Sequence, residues 1–172
     1  MRLFSFLRSR KQGSLDSDES FEDYAARIIT EFKKHDYLGK AAVARSEAKL
    51  AVSEGRFDDA WRKYHEEKDH FLNHATRNNF TPEQVSALDG TVSKSFANVL
   101  RLEKRHNDAF VHIVYWVASS NSETKEQAQK LIAYFNRCKF KHRDIDDVRA
   151  LIDQLKPLPD FRMIQEAVSA WE

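Results

Sequence analysis

Two Glu-x-x-His tetrads, EKDH at 67–70 and EKRH at 103–106, put a carboxylate and an imidazole one turn apart if they lie on helices. That is the ligand spacing of a di-iron carboxylate centre in a helical bundle, with Glu67, His70, Glu103 and His106 as the metal set. Glu66 lies one turn before His70 and His74 one turn after it. A full centre needs one inward Glu from each of two further helices as well. The surrounding run KYHEEKDHFLNH is polar enough that much of it, including His65, His70 and His74, must face water. A second chemistry is carried by RLEKRH at 101–106 and RCKFKH at 137–142, each an Arg followed five residues later by a His.

This Arg–His spacing resembles that of the helical ribonucleases of the HEPN type, which work as dimers. Beyond it the sequence holds no Gly-rich phosphate loop, no nucleophile motif and no basic strand interleaved with aromatics. No cofactor is therefore expected. The single cysteine, Cys138, excludes an intramolecular disulfide and a paired-Cys metal motif, and it fits a reducing compartment. With 28 basic and 27 acidic residues the formal charge is +1, which gives no global pull toward nucleic acid or membrane.

The elements that must position these residues read as helices throughout. Four Gly and three Pro in 172 residues are too few for a turn-rich β fold, and Ala, Leu, Lys, Arg and Glu favour helix. Residues 1–19 read as a basic and polar leader, and residues 20–172 as one all-α domain. Ser20 and Asp23 open a helix on which Tyr24, Ile28 and Phe32 recur every four residues. A second runs from about Leu38 through Ala41, Ala44, Ala48 and Ala51, and Gly55 closes it. A third spans roughly 58–78. TPEQ at 81–84 is a capping box with Pro in the first turn and opens a fourth, which continues to about Arg105. Gly90 inside it predicts a close helix crossing. The fifth, about 107–119, is apolar on most sides (Phe110, Ile113, Val114, Trp116, Val117) and belongs at the centre of the fold. A sixth starts at Ser122, a seventh covers about 144–155, and Asp160 caps a last short helix that ends at Trp171.

EGRFDDAW at 54–61 aligns without a gap on EKRHNDAF at 103–110. Arg56 meets Arg105, Asp59 meets Asp108, Ala60 meets Ala109, and Trp61 meets Phe110. In the weaker third copy, KHRDIDDVRALI, Ile145, Asp146, Asp147 and Val148 fall on Phe57, Asp58, Asp59 and Ala60. Each copy joins two helices, as in a helical-hairpin repeat. The arrangement resembles the tetratricopeptide (TPR) family. Ala48, Gly55, Phe57, Ala60 and Tyr64 match its small, turn and aromatic positions in the first copy. Phe96, Ala97, Leu100, Ala109 and Ile113 match in the second, where Lys104 and His106 replace the Gly and the aromatic. The third keeps Phe135, Ile145, Val148 and Ile152. The copies are spaced 49 and 39 residues apart rather than at the regular period. The alternative arrangement is an irregular up-and-down bundle.

The resemblance implies an all-α stack of antiparallel hairpins, with extra helices at both ends, whose first helices line a concave face. On that face it places Arg45 and Lys49, then Lys94, Asn98 and Arg101, then Lys130, Arg137 and Lys141. Lys94 and Asn98, four residues apart, are similar to part of the clamp by which some TPR domains hold a peptide carboxylate. The implied function is a non-enzymatic scaffold or adaptor in the cytoplasm that binds an acidic peptide or protein. The rival is a metal-dependent or nucleolytic helical enzyme. The leader MRLFSFLRSRK sets Leu3, Phe4, Phe6 and Leu7 among four basic residues. It suits either an anionic membrane or partner surface or a return onto the domain.

Overall fold

The computed structural model describes residues 20–156 and 158–171. Leu3, Phe4, Phe6 and Leu7 lie outside them. Eight helices account for the regular structure of the described residues, with no strand among them. None is long and apolar enough to cross a membrane. The chain divides at Asp36/Tyr37 into two units. In the first, α1 (Phe21–His35) is capped by Ser20, whose hydroxyl accepts from the Asp23 amide at 3.1 Å. Its apolar residues Phe21, Ile28, Ile29 and Phe32 are all exposed.

The second unit holds α2 (Tyr37–Ser53), α3 (Phe57–Arg77), α4 (Pro82–Leu102), α5 (His106–Ala118), α6 (Lys125–Cys138), α7 (Ile145–Leu155) and α8 (Phe161–Ser169). Successive helices pack as antiparallel hairpins, α2 on α3 and α4 on α5. Ala41, Ala44, Ala48 and Ala51 form the buried stripe of α2, and their small size lets it lie close on α3. The core between α2, α3 and α4 is built on Ala48, Ala60, Tyr64, Val92, Phe96 and Val99. A larger core surrounds α5, which packs on α4, α6, α7 and α8 and buries Phe110, Ile113, Val114 and Val117. Trp61 borders both cores and joins them.

The turn after α2 recurs in atomic detail after α4. Gly55 is left-handed (φ 73°), and the Arg56 N–H donates to the Ala51 carbonyl at 2.9 Å. Lys104 is left-handed (φ 66°), and the Arg105 N–H donates to the Leu100 carbonyl, again at 2.9 Å. Arg56 (φ −86°, ψ 73°) and Arg105 (φ −85°, ψ 70°) then start the next helix in the same conformation. Each pairs with the Asp three residues on, Asp59 or Asp108. Six-to-one bonds of this kind satisfy carbonyls that a helix C-terminus otherwise leaves open. A third instance ends α3, with Asn79 at φ 53° and the Phe80 N–H on the Ala75 carbonyl. The copy before α7 departs from this pattern. Lys139 is left-handed, but the chain continues to Asp144, whose carboxylate accepts from the Asp146 and Asp147 amides. What persists in all three copies is the first helical residue (Phe57, His106, Ile145) and the fully buried residue three places on (Ala60, Ala109, Val148).

Two expectations need correction. The sixth helix begins at Lys125 rather than Ser122, because Thr124 and Gln127 form the capping box there. Gln127 is buried and also donates to Ser120 Oγ at 2.6 Å, which holds the start of α6 against the end of α5. That helix ends at Cys138, so Lys141 lies in the following turn and not on the helix face with Lys130 and Arg137.

Gly90 does mark a close crossing. A Cβ at this position would sit 2.8 Å from Ser119 Cβ and 3.2 Å from its Oγ. Ser119 is buried and its hydroxyl donates to the Tyr115 carbonyl at 2.8 Å, so it has no room to yield. Gly90→Ala should therefore lower stability by about 1 kcal/mol, overpacking outweighing the better helix propensity of Ala. Adding Ser119→Gly should recover most of the loss in urea unfolding.

Candidate functional site

The pair Arg45–Glu67, part-exposed at Arg45 and buried at Glu67, joins a residue of the expected basic face to a residue of the expected metal set. Glu67, on α3, has no exposed surface. Its Oε1 lies 2.6 Å from Arg45 Nε and 2.5 Å from Nη2, with Arg45 reaching across from α2. The guanidinium also sits 5.7 Å from the centre of the Phe71 ring. Glu67 Oε2 has no hydrogen-bond partner within the protein. Burial pushes the Glu67 carboxyl above the ordinary carboxylate range, while Arg45 and Lys49 pull it down. Glu67 is thus the counter-ion of Arg45 and is taken up in that role. The neighbouring Tyr64 is buried, its phenol pushed upward by that burial and held against Ser95 of α4.

Further residues of the expected basic face lie on α4 and α6. Lys94 Nζ lies 2.7 Å from Glu126 Oε1 and 5.0 Å from the centre of the Trp116 ring. Asn98 Oδ1 accepts from Arg101 Nη2 at 2.9 Å. Arg101 lies beside the buried Tyr134, and the guanidinium of Arg137 stands 5.5 Å from the centre of that ring. Lys130 acts on Glu126 from the same helix. The structure therefore brings Lys94, Asn98, Arg101, Lys130 and Arg137 together across α4 and α6, with Arg45 and Lys49 on α2. Among them Arg45 and Lys49 act on Glu67, Lys94 and Lys130 act on Glu126, and Arg101 and Arg137 lie beside Tyr134. Lys94 and Asn98 do not form a free clamp, because Lys94 is paired with Glu126 and the Asn98 oxygen accepts from Arg101.

The metal set does not assemble. No group of three or more His, Cys, Asp or Glu side chains that could hold an ion occurs among the described residues. Glu103 is exposed at the C-cap of α4, and the left-handed Lys104 separates it from His106, the first residue of α5. The two tetrads therefore differ in kind: 67–70 lies within one helix, and 103–106 spans a turn. The Arg–His pairs are broken in the same way, Arg101 and His106 by that turn, Arg137 and His142 by the end of α6. What does meet is His106 with Arg137, in a shallow depression of about 400 Å³ beside Lys104, Arg105, Asp108 and Cys138.

A cleft of about 470 Å³ appears where no sequence motif pointed. Lys68, Ser86, Asp89 and Tyr115 supply its polar groups, and Leu72, Phe80, Val85 and Leu158 are among its apolar walls. Lys68 Nζ lies 2.8 Å from Asp89 Oδ1, and the Tyr115 hydroxyl donates to Asp89 Oδ2 at 2.9 Å. Burial, then Asp89, pushes the Tyr115 phenol up to about 12. Close to these groups His112 is packed among rings, with centroids 4.7 Å from Phe161, 5.4 Å from Phe96 and 6.0 Å from Trp61. Burial, reinforced by Lys68, lowers its imidazole to about 4, so it stays neutral at ordinary pH. The lining residues come from α3, α4, α5 and the connections before α4 and α8, and no spacing in the sequence links them.

Compared with models of known protein families, with curated proteins and with solved structures, the chain matches none.

Proposed function

We propose that this chain is a non-enzymatic scaffold that binds an acidic peptide or protein on the basic face formed by α2, α4 and α6. The observation that carries the reading is the gathering of Lys94, Arg101, Lys130 and Arg137 from two helices that are not consecutive in the chain. Lys94 and Arg137 lie over aromatic rings, which fixes their heads near the surface. An incoming carboxylate replaces Glu126 on Lys94, and because Glu126 is half exposed that exchange costs little. Two hairpin turns of the same geometry support the TPR-like reading of the scaffold. On this reading the chain works in the cytoplasm, where Cys138 stays reduced.

The test is a fluorescence-anisotropy titration with a pool of short acidic peptides at low and high salt. The wild-type protein should bind, and added salt should weaken the complex because the contacts are exposed charges. Lys94→Glu combined with Arg101→Glu should weaken binding by about tenfold per reversed charge. Equal binding by the double variant would remove this face from the account.

A further inference from the structure

The cleft lined by Lys68, Asp89 and Tyr115 lies apart from the residues assigned to the basic face and has its own chemistry. Its volume, about 470 Å³, falls within the range of small-molecule sites. Leu72, Phe80, Val85 and Leu158 make it mostly apolar, and its polar groups converge on Asp89. Lys68 and Asp89 cancel in charge, so the polar end offers no net field to a charged head. It does offer unused hydrogen bonds of both kinds. Lys68 has three N–H groups, and Asp89 engages the ammonium from one side. Tyr115 uses its proton on Asp89, and its oxygen is already approached by the Ser86 and Ser119 hydroxyls, so the open acceptors are those of Asp89 and Ser86. The Ser86 hydroxyl donates to Ser119 Oγ at 3.2 Å and likewise keeps acceptor capacity.

We propose that this cleft binds a small neutral amphipathic molecule, an apolar ring or short chain that carries a carboxamide head. The carbonyl of the head accepts from Lys68, and its N–H groups donate to the oxygens gathered around Asp89. The ring or chain covers Leu72, Val85 and Leu158. A carboxylate of the same shape is disfavoured. Its charge gains nothing from a polar end whose own charges cancel, so its desolvation is not repaid, and it has no proton for the acceptors.

The experiment is an NMR titration of the full chain with para-toluamide, read at the methyl groups of Leu72, Val85 and Leu158. Saturable shifts confined to these methyls are expected, with a dissociation constant on the order of millimolar for so small a ligand. Para-toluate should bind about tenfold more weakly. Leu158→Trp fills the cleft from a half-exposed position outside any helix, and it should abolish the shifts while leaving the amide spectrum elsewhere unchanged. Absence of saturable shifts in the wild-type protein would overturn the proposal. So would toluate binding as tightly as toluamide.

Discussion

Replacing Arg45 by Ala should lower the stability of the folded chain by about 3 kcal/mol at neutral pH. The reason lies in the partner that is left behind. Glu67 has no exposed surface, and Arg45 is the group that hydrogen-bonds its carboxylate. Removing one member of a buried pair strands the other in a medium that penalises its charge. Glu67→Gln should be much milder, since Arg45 is part-exposed and can turn to water. Converting both residues together, Arg45→Met with Glu67→Leu, should restore most of the loss, because an apolar pair of similar size needs no counter-charge. Urea unfolding of the set checks the order. If Arg45→Ala is as mild as Glu67→Gln, the pair is not the constraint described.

The same pair has a signature in pH. The folded carboxyl of Glu67 titrates above its ordinary value of 4.5. The folded state therefore holds this proton more tightly than the unfolded chain does. That contribution to stability is fully present below 4.5 and is lost as pH rises through the folded value. Glu67→Gln should lack it.

His112 acts in the opposite direction and gives the second large effect. The unfolded imidazole takes a proton near 6.5, whereas the folded one resists until about 4. Stability from this residue is present above 6.5 and is lost as pH falls toward 4. The shift corresponds to about 3 kcal/mol. The groups that act on it are Lys68, Asp89, Asp108 and His65. Asp89 and Asp108 favour the charged ring, but burial among Trp61, Phe96 and Phe161 outweighs them. His112→Phe keeps a ring in the cage and has nothing to titrate. The difference in unfolding free energy between wild type and this variant should grow by about that amount on acidification through this window. A constant difference across it would mean that His112 is not held neutral.

The fold was legible because local and tertiary signals agreed. Ala at every third or fourth position marked the face of α2 against α3. TPEQ marked the start of α4, and the apolar run from Phe110 to Val117 marked the central helix. Even the repeated turn could be read by laying EGRFDDAW over EKRHNDAF, although Lys104 replaces the Gly that this backbone favours. The start of α6 was missed because Ser122 and Thr124 are both good caps. Only Gln127, three residues past Thr124 and bonded to Ser120, decides between them. The sites were harder to read. A spacing such as Glu-x-x-His says which residues share a face only while the helix continues, and the turn at Lys104 interrupts the second tetrad. Lys94, Arg101, Lys130 and Arg137 meet across α4 and α6, yet no spacing signals that Arg45 pairs with a buried Glu67 or Lys94 with Glu126. The cleft at Asp89 is built from five separate segments, and tertiary packing alone unites them.

The central claim, that the α4 and α6 face is where an acidic partner docks, is tested most directly by mapping bound acidic peptide residue by residue. The isotope-labelled chain titrated with the acidic pool should show its largest shifts at Lys94, Asn98, Arg101, Lys130 and Arg137, reversed by added salt. Shifts concentrated at His106 and the depression around it, or scattered over the surface with no focus on α4 and α6, would contradict the account.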